Sequence, residues 1–206
     1  MDYRRTSTQG IELIKRFEGF ELKAYICDAG KITIGWGHVK NVKPGMVITL
    51  QQAEMYLEED LAVFEREVGT QAQRDGITLS QSEFDALVSF AFNLGTANLF
   101  SSTLWKKLKA GDHQGAAGQF KAWIFVTHTV TLPSGRKVMI REPLRGLCAR
   151  RMSEAALFDG EIKYFSYNNE FVNETVISAL QRQIAKTTDR EIIEYYERMI
   201  HRYQLP

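Results

Sequence analysis

FEGFELKAYICDAGKITIGWGH, residues Phe17 to His38, joins a helix end to a strand and carries three chemically useful side chains on the way. Upstream, Ile11 to Phe17 has helical spacing, so Glu18 falls at the end of an amphipathic helix with Gly19 behind it. Asp28-Ala29-Gly30 is turn chemistry, and Lys31 to Trp36 (KITIGW) reads as a strand bearing Thr33. A helix end, a turn and a strand gather Glu18, Cys27 and Thr33 around one cleft: a carboxyl acid, a thiol and a hydroxyl. Glycoside hydrolysis needs an acid to protonate the leaving oxygen and a second group to handle water or the sugar cation. Partial burial beside Phe17 and Tyr25 would favour the protonated carboxyl that a general acid requires.

Outward from this stretch, caps mark the helices. Thr49 with Gln52 forms a capping box ahead of Ala53, Leu57, Leu61, Phe64 and Val68, a long helix from Thr49 to Val68. Ser80 with Glu83 opens another, with Phe84, Leu87, Val88 and Ala91 as its stripe and Gly95 as its stop. Asp112 opens a shorter helix through Phe120 and Trp123. Phe171 to Ala185 reads as a helix, and Thr188 with Glu191 opens the last, striped by Ile192, Tyr196, Met199, Ile200 and Tyr203. Phe125 to Leu132 and Arg136 to Ile140, joined by Pro-Ser-Gly, read as a second hairpin. Helices dominate and strands come in two patches, so the class is α+β. Asp159-Gly160 is the best boundary, giving a main domain over 1–160 and a helical extension over 161–206.

Composition narrows the function. The chain has 206 residues, 44% hydrophobic and 25% charged, which is the balance of a globular protein with its own core. Twenty-six Lys and Arg against 25 Asp and Glu leave +1, which argues against a surface built for nucleic acid. Cys27 and Cys148 make no disulfide framework and no CxxC pair. No apolar run approaches the roughly 18 residues of a membrane span, and the polar start MDYRRTSTQG is not a signal peptide. His38, His113, His128 and His201 are scattered, with no metal motif, so no metal and no cofactor are expected. From Arg136 to Arg151, six Lys or Arg face one acid, Glu142; such a face suits an anionic wall or lipid phosphates, or is simply solvated.

The sequence resembles the phage-type lysozymes, or endolysins, of glycoside hydrolase family 24. Eight residues separate Glu18 from Cys27 and five separate Cys27 from Thr33, a spacing similar to the family pattern of Glu, then Asp or sometimes Cys, then Thr. FEGF and LKAY precede and TIGWGH follows in agreement. QSEFDALVSFAFNLG (Gln81 to Gly95), STLWKKLKAGD (Ser102 to Asp112) and RGLCARRMSEAALF (Arg145 to Phe158) match in collinear order, so the likeness covers about residues 10–160. It implies a mainly helical two-lobed fold: a small β-containing lobe joined by the long helix to a helical lobe, with the glycan between them and the second hairpin at the rim. It implies a muramidase cleaving between N-acetylmuramic acid and N-acetylglucosamine.

By the same resemblance Glu18 is the general acid and Thr33 holds the attacking water. Cys27 stands where most of the family has Asp. A thiol, mostly protonated at neutral pH, cannot stabilise an oxocarbenium ion as a carboxylate does. Direct inverting attack by water, oriented by Cys27 and Thr33, is therefore expected, with neighbouring Asp28 as the other source of charge and a small buried hydrophobe as the plain alternative for Cys27. Phe92 and Asn93 match cleft residues that contact sugar, and equally read as core and cap. Thr103 matches a cleft hydroxyl. Arg150 matches an Arg contacting the catalytic acid, with Arg151 as its neighbour. His38 resembles a scaffold histidine whose acid is Asp60. The expected partner is a peptidoglycan glycan strand met by a monomer, the protein being made in the host cytoplasm and released by a holin or by injection. A catalytically impaired wall-binding module, a lytic transglycosylase and an injected antibacterial effector are the other readings.

Overall fold

The computed structural model of the protein describes residues 4–27 and 30–204, and the chain falls into two compact units. The first comprises Met1–Gly118 and Glu154–Ile162, the second Gln119–Ser153 and Lys163–Pro206.

In the first unit, α1 (Thr8–Phe17) starts at Ser7, whose hydroxyl accepts from the Gly10 amide. Two buried acids hold this start. Glu65 accepts the Thr6 amide at 2.8 Å, and Asp85 accepts the Ser7 amide at 3.0 Å and the Ser7 hydroxyl more closely still. Gly10 permits the approach, since a Cβ there would stand 2.8 Å from Asp85 Cβ. Leu13 and Ile14 are fully buried, each gaining about 1.5–3 kcal/mol from water exclusion. Strands β1 (Glu21–Ile26) and β2 (Ile32–Gly35) follow as an antiparallel pair. The Lys23–Val47 bridge, with hydrogen bonds from Ala24 to Met46 and from Ile48 to Leu22, adds a short third segment beside β1.

The expected capping box of Thr49 and Gln52 opens α2 (Leu50–Arg74). This helix runs past Val68 because Ala72 continues the buried stripe. Its C-cap, Asp75, accepts from Lys109 (2.8 Å), Trp105 Nε1 (2.8 Å) and Gln71 (2.9 Å). The hydrogen bond from Lys109, then those from Gln71 and Trp105, hold this carboxyl well below the usual carboxylate range.

Ser80 and Glu83 cap α3 (Gln81–Leu94), and Gly95 ends it at φ 86°. The expected stripe is too narrow for α3: every residue from Phe84 to Ala91 is buried, because α1, α2 and α4 (Thr96–Ser101) surround the helix. Ser102 caps α5 (Thr103–Lys109). The helix read from Asp112 through Trp123 is broken. Asp112 caps α6 (His113–Ala117), which stops at Gly118, and a 3-10 turn over Phe120–Trp123 follows. Gly115 and Gly118 weaken that helix interior, whereas the burial of Phe120 favours the turn.

In the second unit, β3 (Phe125–Thr131) and β4 (Lys137–Pro143) form the expected hairpin, in unbroken register from Phe125↔Pro143 to Thr131↔Lys137. Gly135, at φ 83°, closes the turn. Next come α7 (Arg145–Phe158), which enters the first unit at Glu154, then α8 (Glu170–Ile184) and α9 (Arg190–Gln204). The last cap is Asp189, which accepts from the Ile192 amide, in place of the expected Thr188. Along α9, Tyr195 donates to Glu142 (2.8 Å), Tyr196 donates to the Arg141 carbonyl (3.0 Å), and Glu191 accepts from the Ser134 amide and hydroxyl. Desolvation, then the hydrogen bond to Glu142, pushes the Tyr195 hydroxyl up to about 12. Among the described residues no helix is long and apolar enough to cross a membrane.

Candidate active site

Glu18 is the C-cap of α1. Its backbone is extended (φ −90°, ψ 143°) while its amide still donates to the Ile14 carbonyl at 3.0 Å. The main chain therefore leaves the helix here, and Glu18, a half-buried residue, stands at the joint between α1 and β1. With the start of α1 fixed by Glu65 and Asp85, a short rigid rod sets where Glu18 emerges.

The hairpin positions the other two groups. Tyr25 pairs with Thr33, and the Cys27 amide donates to the Lys31 carbonyl at 3.0 Å. Residues two apart on a strand share a face, and so do cross-strand partners, so Tyr25, Cys27 and Thr33 lie on one side of the hairpin. Thr33 is buried and donates its hydroxyl proton to the Lys31 carbonyl at 3.1 Å. That leaves the Thr33 oxygen lone pairs to accept from a water. Cys27 is half-exposed and unbridged. Asp28, the other candidate for the second charge, lies outside the described residues.

His38 closes a tight turn after β2 through paired backbone bonds with Ile34, each 2.9 Å. Its Nδ1 meets Asp60 at 2.9 Å, its Nε2 meets the Lys40 carbonyl at 2.9 Å, and its ring stacks on Tyr56. It is buried scaffold tying β2 to α2, in line with the pairing expected for it.

The remaining candidates are spread more widely. Phe92 is half-buried at the end of α3, edge-on to Phe64 at 5.4 Å, and Asn93 beside it is exposed. Thr103 is exposed at the first position of α5. Arg150 belongs to the second unit and is buried on α7, as is Arg151. Ser89 and Glu154 escaped the sequence reading: the Ser89 hydroxyl donates to Glu154 at 2.8 Å, and both residues are fully buried. The signal was a carboxylate inside an otherwise small and apolar run, MSEAAL.

The stretch from Arg136 to Arg151 is not a bare cationic face. Arg136 pairs with Asp189 (2.7 Å) and Glu191 (3.3 Å). Arg141 lies over Phe125, Arg145 lies over Tyr203, and Arg150 and Arg151 are buried. Among the described residues no group of three or more His, Cys, Asp or Glu converges as a metal ligand set.

Three comparisons bear on this geometry. Residues 15–154 match the family model of phage lysozyme. An endolysin of Acyrthosiphon pisum secondary endosymbiont phage 1 is 42% identical over 153 residues, covering 74% of this chain and 97% of that protein. The endolysin of Bacillus phage B103 is also 42% identical, over 164 residues and 78% of this chain, though the match spans only 56% of that longer protein. Among solved structures, the muramidase domain of SpmX from Asticaccaulis excentricus superposes with a TM-score of 0.64 at 31% identity, over 75% of this chain and 98% of that one.

Proposed function

The chain belongs to the phage lysozyme family, and from that premise we propose that it is a muramidase of the endolysin type that hydrolyses the β-1,4 bond between N-acetylmuramic acid and N-acetylglucosamine. One observation carries the reading of the site. Within one unit and inside the family match, half-buried Glu18 stands at the C-cap of α1, its amide bonded to Ile14, directly ahead of a hairpin whose one face bears Cys27 and Thr33.

Glu18 gives its proton to the bridging oxygen as the bond to the anomeric carbon breaks. The leaving sugar departs as an alcohol, and an oxocarbenium-like centre remains. A water donating to the Thr33 hydroxyl oxygen turns its own lone pair toward that centre, and Cys27 lines its approach. Attack from the face opposite Glu18 inverts the anomeric configuration; the surplus proton of the attacking water passes to bulk solvent, and solvent returns a proton to Glu18. Phe92, Asn93 and Thr103 serve as sugar contacts in this scheme. The scheme keeps a lysozyme domain over 1–160 with 161–206 as an extension, a division supported by the end of the family match at residue 154.

The test is clearance of a purified cell-wall suspension. Glu18→Gln keeps the shape and removes the transferable proton, and is expected to lower turnover on the order of 1000-fold. Clearance at the parental rate would sink the assignment. Mass spectrometry of the fragments separates hydrolysis from transglycosylation, because an anhydro end is lighter by one water.

A further inference from the structure

We propose that Trp36 is a positioning residue for Glu18, and that the bend carrying it is a pedestal for the acid. The inference rests on the reading of Glu18 as the proton donor. The link from α1 to β1 is short, and it contains Gly19, around which a Cβ would find open space. Nothing on Gly19 itself restrains the direction in which Glu18 points.

One restraint comes from both flanks of the link meeting one indole. Three residues before Glu18, Lys15 places its ammonium 4.4 Å from the centre of the Trp36 ring, and the same ammonium pairs with Glu54 of α2 at 2.9 Å. Two residues after Glu18, Phe20 stacks on Trp36 with ring centres 4.3 Å apart and planes 28° apart. Trp36 is 8% exposed although Phe20, its stacking partner, is 40% exposed. The indole is thus wedged between the end of the helix and the start of the strand, with the acid on the span between them.

The pedestal is itself fixed. Gly35 and Gly37 on either side of Trp36 take φ 62° and 94°, the left-handed region that lets the chain fold back sharply. Ile34 and His38 close that bend with two backbone hydrogen bonds of 2.9 Å, and Asp60 of α2 holds His38. A rigid bend tied to a long helix, bearing an aromatic plate against the residues that flank the acid, is what preorganisation of one side chain requires. The GWGH motif gains a function by this account: glycines for the bend, histidine for the anchor, tryptophan for the contact.

The experiment measures kcat and KM on soluble glycan oligomers, together with thermal melting, for the full chain. Trp36→Leu is expected to lower kcat about 30-fold with KM nearly unchanged, since misplacement of a reacting group costs rate rather than ground-state binding. Trp36→Tyr, which keeps a flat ring for Phe20 and Lys15, is expected to restore kcat to within about threefold of the parent. Phe20→Leu alone is expected to cost about fivefold in kcat, and the Phe20→Leu/Trp36→Leu pair no more than Trp36→Leu, because both act through one joint. If Trp36→Leu does not fold, Phe20→Leu and Lys15→Met carry the test, each with a fall of about fivefold in kcat at constant KM. A variant set that loses melting temperature but keeps parental kcat, or in which Trp36→Tyr is as slow as Trp36→Leu, overturns the proposal. Glu18→Gln runs alongside: if it is inactive while Trp36→Leu turns over normally, only the positioning role falls, and if it stays active the acid assignment falls first.

Discussion

The protein has two antiparallel hairpins, and they are built on opposite principles. The β3–β4 hairpin pairs every residue from Phe125↔Pro143 to Thr131↔Lys137, and α9 fastens it at both ends. The β1–β2 hairpin breaks register between Glu21 and Tyr25 and keeps only a few paired positions; both hairpins bury one polar side chain, Thr33 here and Glu142 on β4. The regular hairpin alternates exposure along β4 though not along β3, and its polar partners serve packing. The irregular one carries the acid at its entrance and the hydroxyl in its second strand. A broken ladder gives up backbone regularity and gains freedom to aim side chains, as bulges next to active sites commonly do. Order in the one hairpin is held by α9, whereas order in the other is held by the Trp36 bend and His38.

The contrast can be broken by experiment, starting with the largest expected effect. Thr33→Val keeps the shape and removes the acceptor, and should slow wall clearance about 100-fold, whereas His128→Gln on β3 should leave it within about twofold. Comparable losses in both would erase the division of labour. Next, Cys27→Ala should reduce clearance about tenfold and Cys27→Asp should match or exceed the parent, with parental activity in Cys27→Ala removing the thiol from the mechanism.

On the other hairpin the effects are on stability. Tyr196→Phe removes the hydrogen bond to the Arg141 carbonyl and should cost about 1 kcal/mol in denaturant unfolding with activity retained at low denaturant.

The smallest effect concerns pH. Arg136 lowers the Asp189 carboxyl directly, and Ser134, with Arg136 behind it, lowers that of Glu191. The folded protein therefore binds fewer protons at these sites than the unfolded chain does, and their contribution is complete above the ordinary carboxylate range. It fades as pH falls through the lowered folded values. Arg136→Met should flatten that acid limb slightly, and added salt should do the same, because the pairs are exposed. A limb of unchanged slope would show that α9 does not need these charges.

Much of this was legible in the sequence because caps are local. Thr49 with Gln52 and Ser80 with Glu83 form their boxes as read, and Pro133-Ser134-Gly135 makes the expected turn. Two of the helices that escaped, α4 and α7, have a signal that is not local. With six residues and Gly95 as an N-cap lacking a side chain, α4 is too short to show a period. On α7, Arg150, Arg151, Ser153 and Glu154 are buried along with Cys148 and Ala149, so no polar face marks its period. The spacing from Glu18 to Thr33 showed which residues carry the candidate chemistry. It could not show that Trp36 sits against both flanks of Glu18, because stacking between Phe20 and Trp36 depends on the fold-back at Gly35 and Gly37. Nor could the count of charges from Arg136 to Arg151 reveal that α9 and the core would occupy them.

The unlike fates of the two thiols have a practical consequence. Cys148 is fully buried on α7, and desolvation pushes it up to about 11, so it stays inert toward alkylating reagents at neutral pH. Cys27, half-exposed on the hairpin face shared with Thr33, is the position a maleimide fluorophore can reach. The chain is therefore already a single-site labelling substrate, with the dye on the hairpin face that bears Thr33 and no cysteine first engineered away.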